Sequence, residues 1–252
     1  MTGDENELVT DRTYVNSTVP FTFEGYKMTT GPRGGGQRRG DELRRHILFV
    51  AKDVFLAVGF ERTSMDTVAA RAGTSKRSLY AHFETKDKLF DAVLDLVREL
   101  YLGKLRTPDA YAGDPADITE TVTRFCGRFL QLMTWEAQVR TCRLSIAEAE
   151  RLPHSSRAYF DAVFATTYQR LASYLAEHRA ALGMDNATST TFAQDLLNRT
   201  VLPPLLRTLL GVEDVITTTD PPSAANLATD VDLAAIRTTV KALLPTGGGK
   251  TG

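Results

Sequence analysis

The chain of 252 residues and 27.7 kDa is long enough for one large domain or two modest ones, each able to bury a core. An apolar fraction of 42% beside 24% charged residues excludes wholesale disorder, a collagen-like fibre and a disulfide miniprotein. Thirty basic residues against thirty-one acidic ones leave a net charge of −1, so any affinity for nucleic acid or anionic lipid has to be local.

Residues 1–40 show no helical periodicity and close on a glycine-rich stretch, so they are expected to form a flexible extension. Met28 opens Met-Thr-Thr-Gly-Pro-Arg and is a candidate for the true translation start. Asp4, Glu5 and Glu7 precede no apolar stretch, which is unlike a secretory leader.

From Asp41 the apolar residues Leu43, Ile47, Val50, Val54, Phe55 and Val58 recur at helical spacing until Gly59. Thr63-Ser-Met-Asp66 has the capping-box arrangement and opens a short second helix that ends at Gly73. Thr74-Ser75 caps a third helix over about 76–83, with Leu79 and Phe83 facing inward. Thr85 caps a fourth, carrying Leu89, Phe90, Val93, Leu94, Val97 and Leu100 on one side.

Beyond Pro108, Gly113 and Pro115, helical patterning resumes over about 116–133, 136–151, 154–182, 190–202, 204–210 and 227–244. No alternating run bounded by turn signals calls for a strand, so the expected fold is all-α. Residues 246–252 are expected to fray.

Two short helices around Gly73 make a helix-turn-helix, which presents its second helix to a DNA major groove. Residues 71–88 hold five basic and two acidic side chains, whereas residues 107–252 hold thirteen basic and sixteen acidic. Positive charge is concentrated where phosphate contacts would need it.

The string Phe60-x-x-Thr63-Ser-Met-Asp-Thr-Val68-Ala69-x-x-Ala72-Gly73-Thr-Ser75-Lys76-x-x-Leu79-Tyr80-x-His82-Phe83-x-x-Lys86-x-x-Leu89 resembles the tetracycline-repressor (TetR) family of bacterial transcriptional regulators. The resemblance implies a DNA-binding helix-turn-helix domain at 41–86, a connecting helix at 87–106, and a larger helical domain at 107–245 for ligand binding and dimerisation. It further implies phosphate contacts from Thr63, Ser64, Tyr80, His82 and Lys86, and a groove-facing set of Thr74, Ser75, Lys76 and Arg77. Arg77 is the candidate for bidentate contact with guanine. Glu148-Ala-Glu150-Arg-Leu-Pro153, followed by a long helix, resembles one sub-branch of these regulators.

In the larger domain, Phe125, Phe129, Met133 and Trp135, with Phe160, Phe164 and Tyr168, are candidates to line a pocket for a small hydrophobic effector, although their spacing is equally that of a core stripe. Leu196, Leu197, Val201, Leu205, Leu206, Leu209 and Leu210 form the apolar face expected to join two copies, which would bind a near-palindromic double-stranded DNA operator as a homodimer and leave it when effector binds.

His46, His82, His154 and His178 lack metal-ligand spacing, and no nucleophile with a base, paired carboxylates or cofactor loop emerges. The chain is therefore expected to be neither an enzyme nor a cofactor protein. No run of about 18 apolar residues occurs, and two cysteines, Cys126 and Cys142, suit a reducing cytoplasm. The alternative function is a small-molecule or redox-sensing helical protein without operator binding, its sensor being those two thiols.

Overall fold

The computed structural model describes residues 35–244 apart from 115, 184 and 185. The proposed start at Met28, the extension up to residue 34 and the tail over 246–252 lie outside the described residues. Among the described residues the fold is all-α, with a single isolated bridge between Trp135 and Ile216.

Helix α1 (Gly35–Arg62) starts six residues before Asp41, so the glycine-rich end of the supposed flexible stretch is helical. A helix anchored by buried Ile47, Ala51 and Phe55 grows backward without a new nucleation cost, which offsets weak local propensity. The chain departs from helical geometry at Gly59, and Phe60 turns inward beside Phe55 and Phe90, with ring centroids 5.6 and 5.1 Å away. These three rings form the centre of the N-terminal core.

Helix α2 (Met65–Arg71) is capped by Ser64, whose Oγ accepts from Thr67 N at 3.0 Å. The expected box on Thr63 is displaced by one residue, because Thr63 is only 2% exposed and its hydroxyl donates to Gly59 O at 2.7 Å. Gly73 turns the chain at φ 62°, a conformation that costs a β-carbon dearly, and Thr74 N closes the turn on Ala69 O at 3.0 Å. Helix α3 (Lys76–His82) begins at Ser75, whose Oγ accepts from Ser78 N at 3.1 Å. Leu79 and Phe83 are buried, as their spacing requires. Thr85 Oγ1 accepts from Lys88 N at the start of α4 (Lys86–Leu102).

After a 3-10 turn at Pro108–Tyr111 come α5 (Ile118–Met133) and α6 (Glu136–Ala147). The long helix expected over 154–182 is divided: α7 (Pro153–Phe160) passes through a π-helical turn at Asp161–Ala165 into α8 (Thr166–Glu177) and the short α9 (Arg179–Leu182). Then follow α10 (Asn186–Thr200), α11 (Leu202–Leu209), α12 (Leu227–Asp230) and α13 (Leu233–Leu243).

Helix α5 is the axis of the larger bundle. Gly127 lets α13 approach so closely that a β-carbon there would overlap the Leu233 side chain. Helix α8 packs on α10, α6 packs on α1 and α4, and α7 packs on α4. Helices α1 to α4 and the larger bundle thus belong to one compact unit.

The extended segment between α11 and α12 is pinned along α5. Ile216 exchanges backbone hydrogen bonds with Thr134 and Glu136, and Trp135 Nε1 donates to Thr218 O at 2.9 Å. Arg128 donates to Pro222 O at 2.7 Å and to Gln131, which donates to Ser223 O and, at 2.6 Å, to Asp230. Burial lowers the pKa of the Arg128 guanidinium, with Tyr111 and Asp230 opposing that shift.

Candidate nucleic-acid interface

The two caps decide which side chains of the helix-turn-helix stay free. Ser64 is exposed at the start of α2, with its hydroxyl on Thr67. Ser75 is exposed, and its hydroxyl fixes the first turn of α3. Thr74 is half-buried in the turn. Arg77 projects into solvent with no partner among the described residues. Tyr80 keeps 47% of its surface exposed. His82 is half-buried, its ring 6.3 Å from that of Phe83.

Three of the expected contacts look different in the fold. Thr63 is buried with its hydroxyl committed to Gly59, so the phosphate contact assigned to it is withdrawn. Lys86 sends Nζ back to the end of α1, donating to Phe60 O and Thr63 O at 3.0 Å each, and sits 4.2 Å from the centroid of the Phe60 ring. Its ammonium caps a helix end instead of reaching outward. Lys76 is exposed but paired with Asp66 of α2, an exposed ion pair that DNA phosphates would have to replace.

On the larger domain an open apolar groove of about 600 Å³ lies between α6, α7 and α11, with the exposed Ile146, Phe160, Leu202 and Leu206 among its walls. Phe160 and Phe164 line it, their rings stacked at 5.6 Å. Phe125, Phe129 and Met133 are wholly buried in the core, and Trp135 holds the Thr218 segment, so these four are packing residues and not lining ones. Tyr168 donates to Asn198 Oδ1 at 3.1 Å on the neighbouring helix α10 and also stands apart from the groove.

The leucine stripe expected at a dimer contact divides in two. Leu196, Leu197, Val201 and Leu205 are buried within the chain, whereas Leu206 and Leu210 are 56% and 72% exposed. Leu202, Ile146, Phe160 and Val212 are also exposed, and Ile146, Phe160 and Leu202 share one groove with Leu206, a grouping that periodicity along one helix could not reveal.

Both cysteines are free and buried. Burial pushes the Cys126 thiol from 9.0 up to about 12, and burial also raises Cys142 and Tyr159. Such thiols are poor nucleophiles, which removes the basis for reading them as oxidant sensors. The same burial predicts a pH effect. At pH values below 9.0 the Cys126 thiol is protonated in both folded and unfolded chains; between 9.0 and about 12 only the unfolded chain ionises, so stability falls with rising pH. The expected slope from Cys126 is about 1.4 kcal/mol per pH unit. Urea melts across that window should show it, and Cys126→Ala should make the decline shallower.

Arg151 joins the two parts of the molecule, a role not visible in the sequence. It lies between α6 and α7, with its guanidinium 3.7 Å over the Phe60 ring, Nε 3.2 Å from Glu61 and 3.0 Å from Glu148, and Nη2 3.9 Å from Asp87. Ser155 adds a hydrogen bond to Asp91 of α4. Only the Glu148–Pro153 segment hinted at this, through its likeness to one sub-branch.

Comparison with known proteins agrees with this architecture. Residues 47–93 match the profile of bacterial regulatory proteins of the tetR family, and residues 120–237 match that of the AefR-like transcriptional repressor C-terminal domain. Over 65 residues the chain is 46% identical to the HTH-type transcriptional activator FasR of Mycolicibacterium smegmatis, covering 24% of this chain and 30% of that protein. The chain thus matches about a third of the length of such curated relatives. A regulator of Mesorhizobium loti superposes with a TM-score of 0.64 at 22% identity, covering 81% of this chain and 96% of its own. The flavonoid-responsive regulator FrrA does so with a TM-score of 0.62 at 26% identity, covering 81% of this chain and 98% of its own. With both profiles in chain order over an all-α fold, the chain belongs to the TetR family of bacterial regulatory proteins.

Proposed function

We propose that the protein is a dimeric transcriptional repressor that reads a near-palindromic operator through α3 and releases it when a small hydrophobic effector enters the larger domain. The observation that carries the DNA reading is Arg77. It is exposed on a helix that Gly73 and the Ser75 cap hold in place, and it has no competing partner among the described residues. An uncommitted guanidinium on the first turn of such a helix suits bidentate contact with a guanine edge. Ser64, Thr74, Ser75, Lys76, Tyr80 and His82 complete the contact set, with Ser64 and Tyr80 on the backbone side. Repression follows the C-terminal profile, and effector release is in keeping with the flavonoid response named for FrrA.

Two copies are joined by the exposed face of Leu202, Leu206 and Leu210, extended by Ile146, Phe160 and Val212. A two-fold contact through this face removes from water the large apolar side chains that the monomer leaves exposed. No helix among the described residues is long and apolar enough to cross a membrane, which is compatible with a cytoplasmic site of action.

Fluorescence anisotropy with fragments of DNA flanking the gene tests the reading. The wild-type protein is expected to prefer a fragment holding an inverted repeat, with affinity that falls steeply as salt rises. Arg77→Ala should weaken that binding by about 1–3 kcal/mol and relax base preference at one position in each half-site. Lys76→Ala should cost less, because the wild-type lysine must first leave Asp66. Equal binding to every fragment, by wild type and Arg77→Ala alike, would overturn the assignment.

A further inference from the structure

Residues Phe60–Thr63 set the direction in which the helix-turn-helix leaves α1. They lie between the break at Gly59 and the Ser64 cap of α2, so a tilt of this short piece passes to α2 and, through the closed turn at Gly73, to α3. Lys86 holds the piece from within the N-terminal core, on the carbonyls of Phe60 and Thr63. Arg151 holds it from the bundle. Its guanidinium lies 3.7 Å from the Phe60 centroid, nearer than any other cation to a ring among the described residues. Its Nε stands between Glu61 at 3.2 Å and Glu148 at 3.0 Å. Glu148 is buried at the end of α6, so the bundle itself aims Arg151 at the ring. Exposed ion pairs hold little on their own, and it is the flat stack and the planar fork between two carboxylates that give this contact a fixed geometry. With Glu61, Glu148 and Asp87 around it, Arg151 brings no uncompensated charge to DNA. Helix α6 is anchored at α11 as well, where Arg143 donates to Leu209 O and Thr208 O at 2.9 Å each.

We propose that Arg151 is a positioning residue for operator binding: seated on Phe60 between Glu61 and Glu148, it keeps α2 and α3 in one orientation to the bundle without touching DNA. The inference rests on the reading of the helix-turn-helix as an operator binder. An operator half-site accepts α3 in one orientation, so a helix-turn-helix that holds it only a tenth of the time binds about tenfold more weakly. Unrelated DNA is bound through charge and tolerates many orientations. Loss of Arg151 therefore removes discrimination, whereas loss of a phosphate contact lowers both affinities and the salt slope. Lysine at this position keeps the charge but offers neither the flat face nor the fork.

Spin labels at Arg71→Cys on α2 and Gln169→Cys on α8, both exposed positions, read the orientation in the full-length protein without DNA. The pair is expected to give a narrow distance distribution while Arg151 is present, a broader or displaced one in Arg151→Met, and an intermediate one in Arg151→Lys. In anisotropy titrations well below the melting range, Arg151→Met should weaken operator binding about tenfold and Arg151→Lys about threefold, with affinity for unrelated DNA kept within about twofold and the salt slope unchanged. One and the same distance distribution in all three proteins overturns the proposal whatever the titrations give, and so does unchanged operator affinity in a variant that only melts earlier. Operator and unrelated DNA losing affinity together, with a salt slope lower by about one, would make Arg151 a phosphate contact and overturns it as well. A wild-type protein that prefers no fragment defeats the operator reading, and the distances then decide by themselves whether Arg151 sets the orientation.

Discussion

Lys86→Ala is expected to lower the free energy of unfolding by about 3 kcal/mol and to leave the salt dependence of operator binding nearly unchanged. Hydrogen bonds from a charged donor contribute roughly 1.5–3 kcal/mol each, and a partly desolvated ammonium on an aromatic ring about 0.5–2 kcal/mol more. Lys86 makes two such bonds at 3.0 Å, to Phe60 O and Thr63 O, and lies 4.2 Å from the Phe60 ring centroid. Hydration of the ammonium in the unfolded chain offsets part of that sum, which leaves the smaller net figure. Lys86→Met keeps the aliphatic stem and should recover only the packing share. Denaturant melts give the stability change, and a salt series below the melting range gives the phosphate count. A variant of full stability whose salt slope has fallen by about one would return Lys86 to the DNA backbone.

If two copies join as proposed, replacing Leu206 and Leu210 together by glutamate is expected to leave monomers and to weaken operator binding by about 100-fold or more, because two linked reading heads gain a factor of this order over one. Both leucines are more than half exposed, at 56% and 72%, so the monomer loses little packing when they change. Four carboxylates brought together in a two-fold contact would repel, and burying them would cost several kcal/mol. Sedimentation velocity reads the assembly and circular dichroism the fold. Dimers that survive the double substitution would place the contact elsewhere, with the exposed stripe then serving another purpose.

The N-terminal helices were legible because their signals are local. Gly59 and Gly73 break the chain where expected, Ser75 and Thr85 cap the helices that follow, and Leu79 and Phe83 turn inward. Other residues answer to partners that the spacing pattern does not name. Thr63 and Ser64 are equally good caps on paper, and the choice falls to Ser64 because Thr63 folds back onto Gly59. Lys86 resembles a surface cation until its carbonyl partners, 23 and 26 residues earlier, are in view.

In the larger domain, helical spacing identified Phe125, Phe129 and Phe164 as inward-facing but could not separate core from groove wall. That distinction depends on how α6, α7 and α11 are spaced. Trp135 looked like an aromatic lining residue, yet its indole serves a backbone carbonyl 83 residues away. The leucines of α10 and α11 read as one stripe, and the fold divides them between an inner and an outer face. For Arg151 only the likeness of the Glu148–Pro153 segment to one sub-branch gave a hint, because a side chain resting on a remote ring is defined by its surroundings.

The seat of Arg151 on Phe60 has a consequence for anyone who would cut this molecule apart. The aromatic knot inside the N-terminal third is covered from outside by a guanidinium that the chain supplies some ninety residues later, and Ser155 fastens α4 from the same side. A fragment ending after α4 would leave that knot partly bare and Glu61 and Asp87 without their counter-charge. Isolated in this way, the reading head should melt earlier than it does at home and swing more widely over its target.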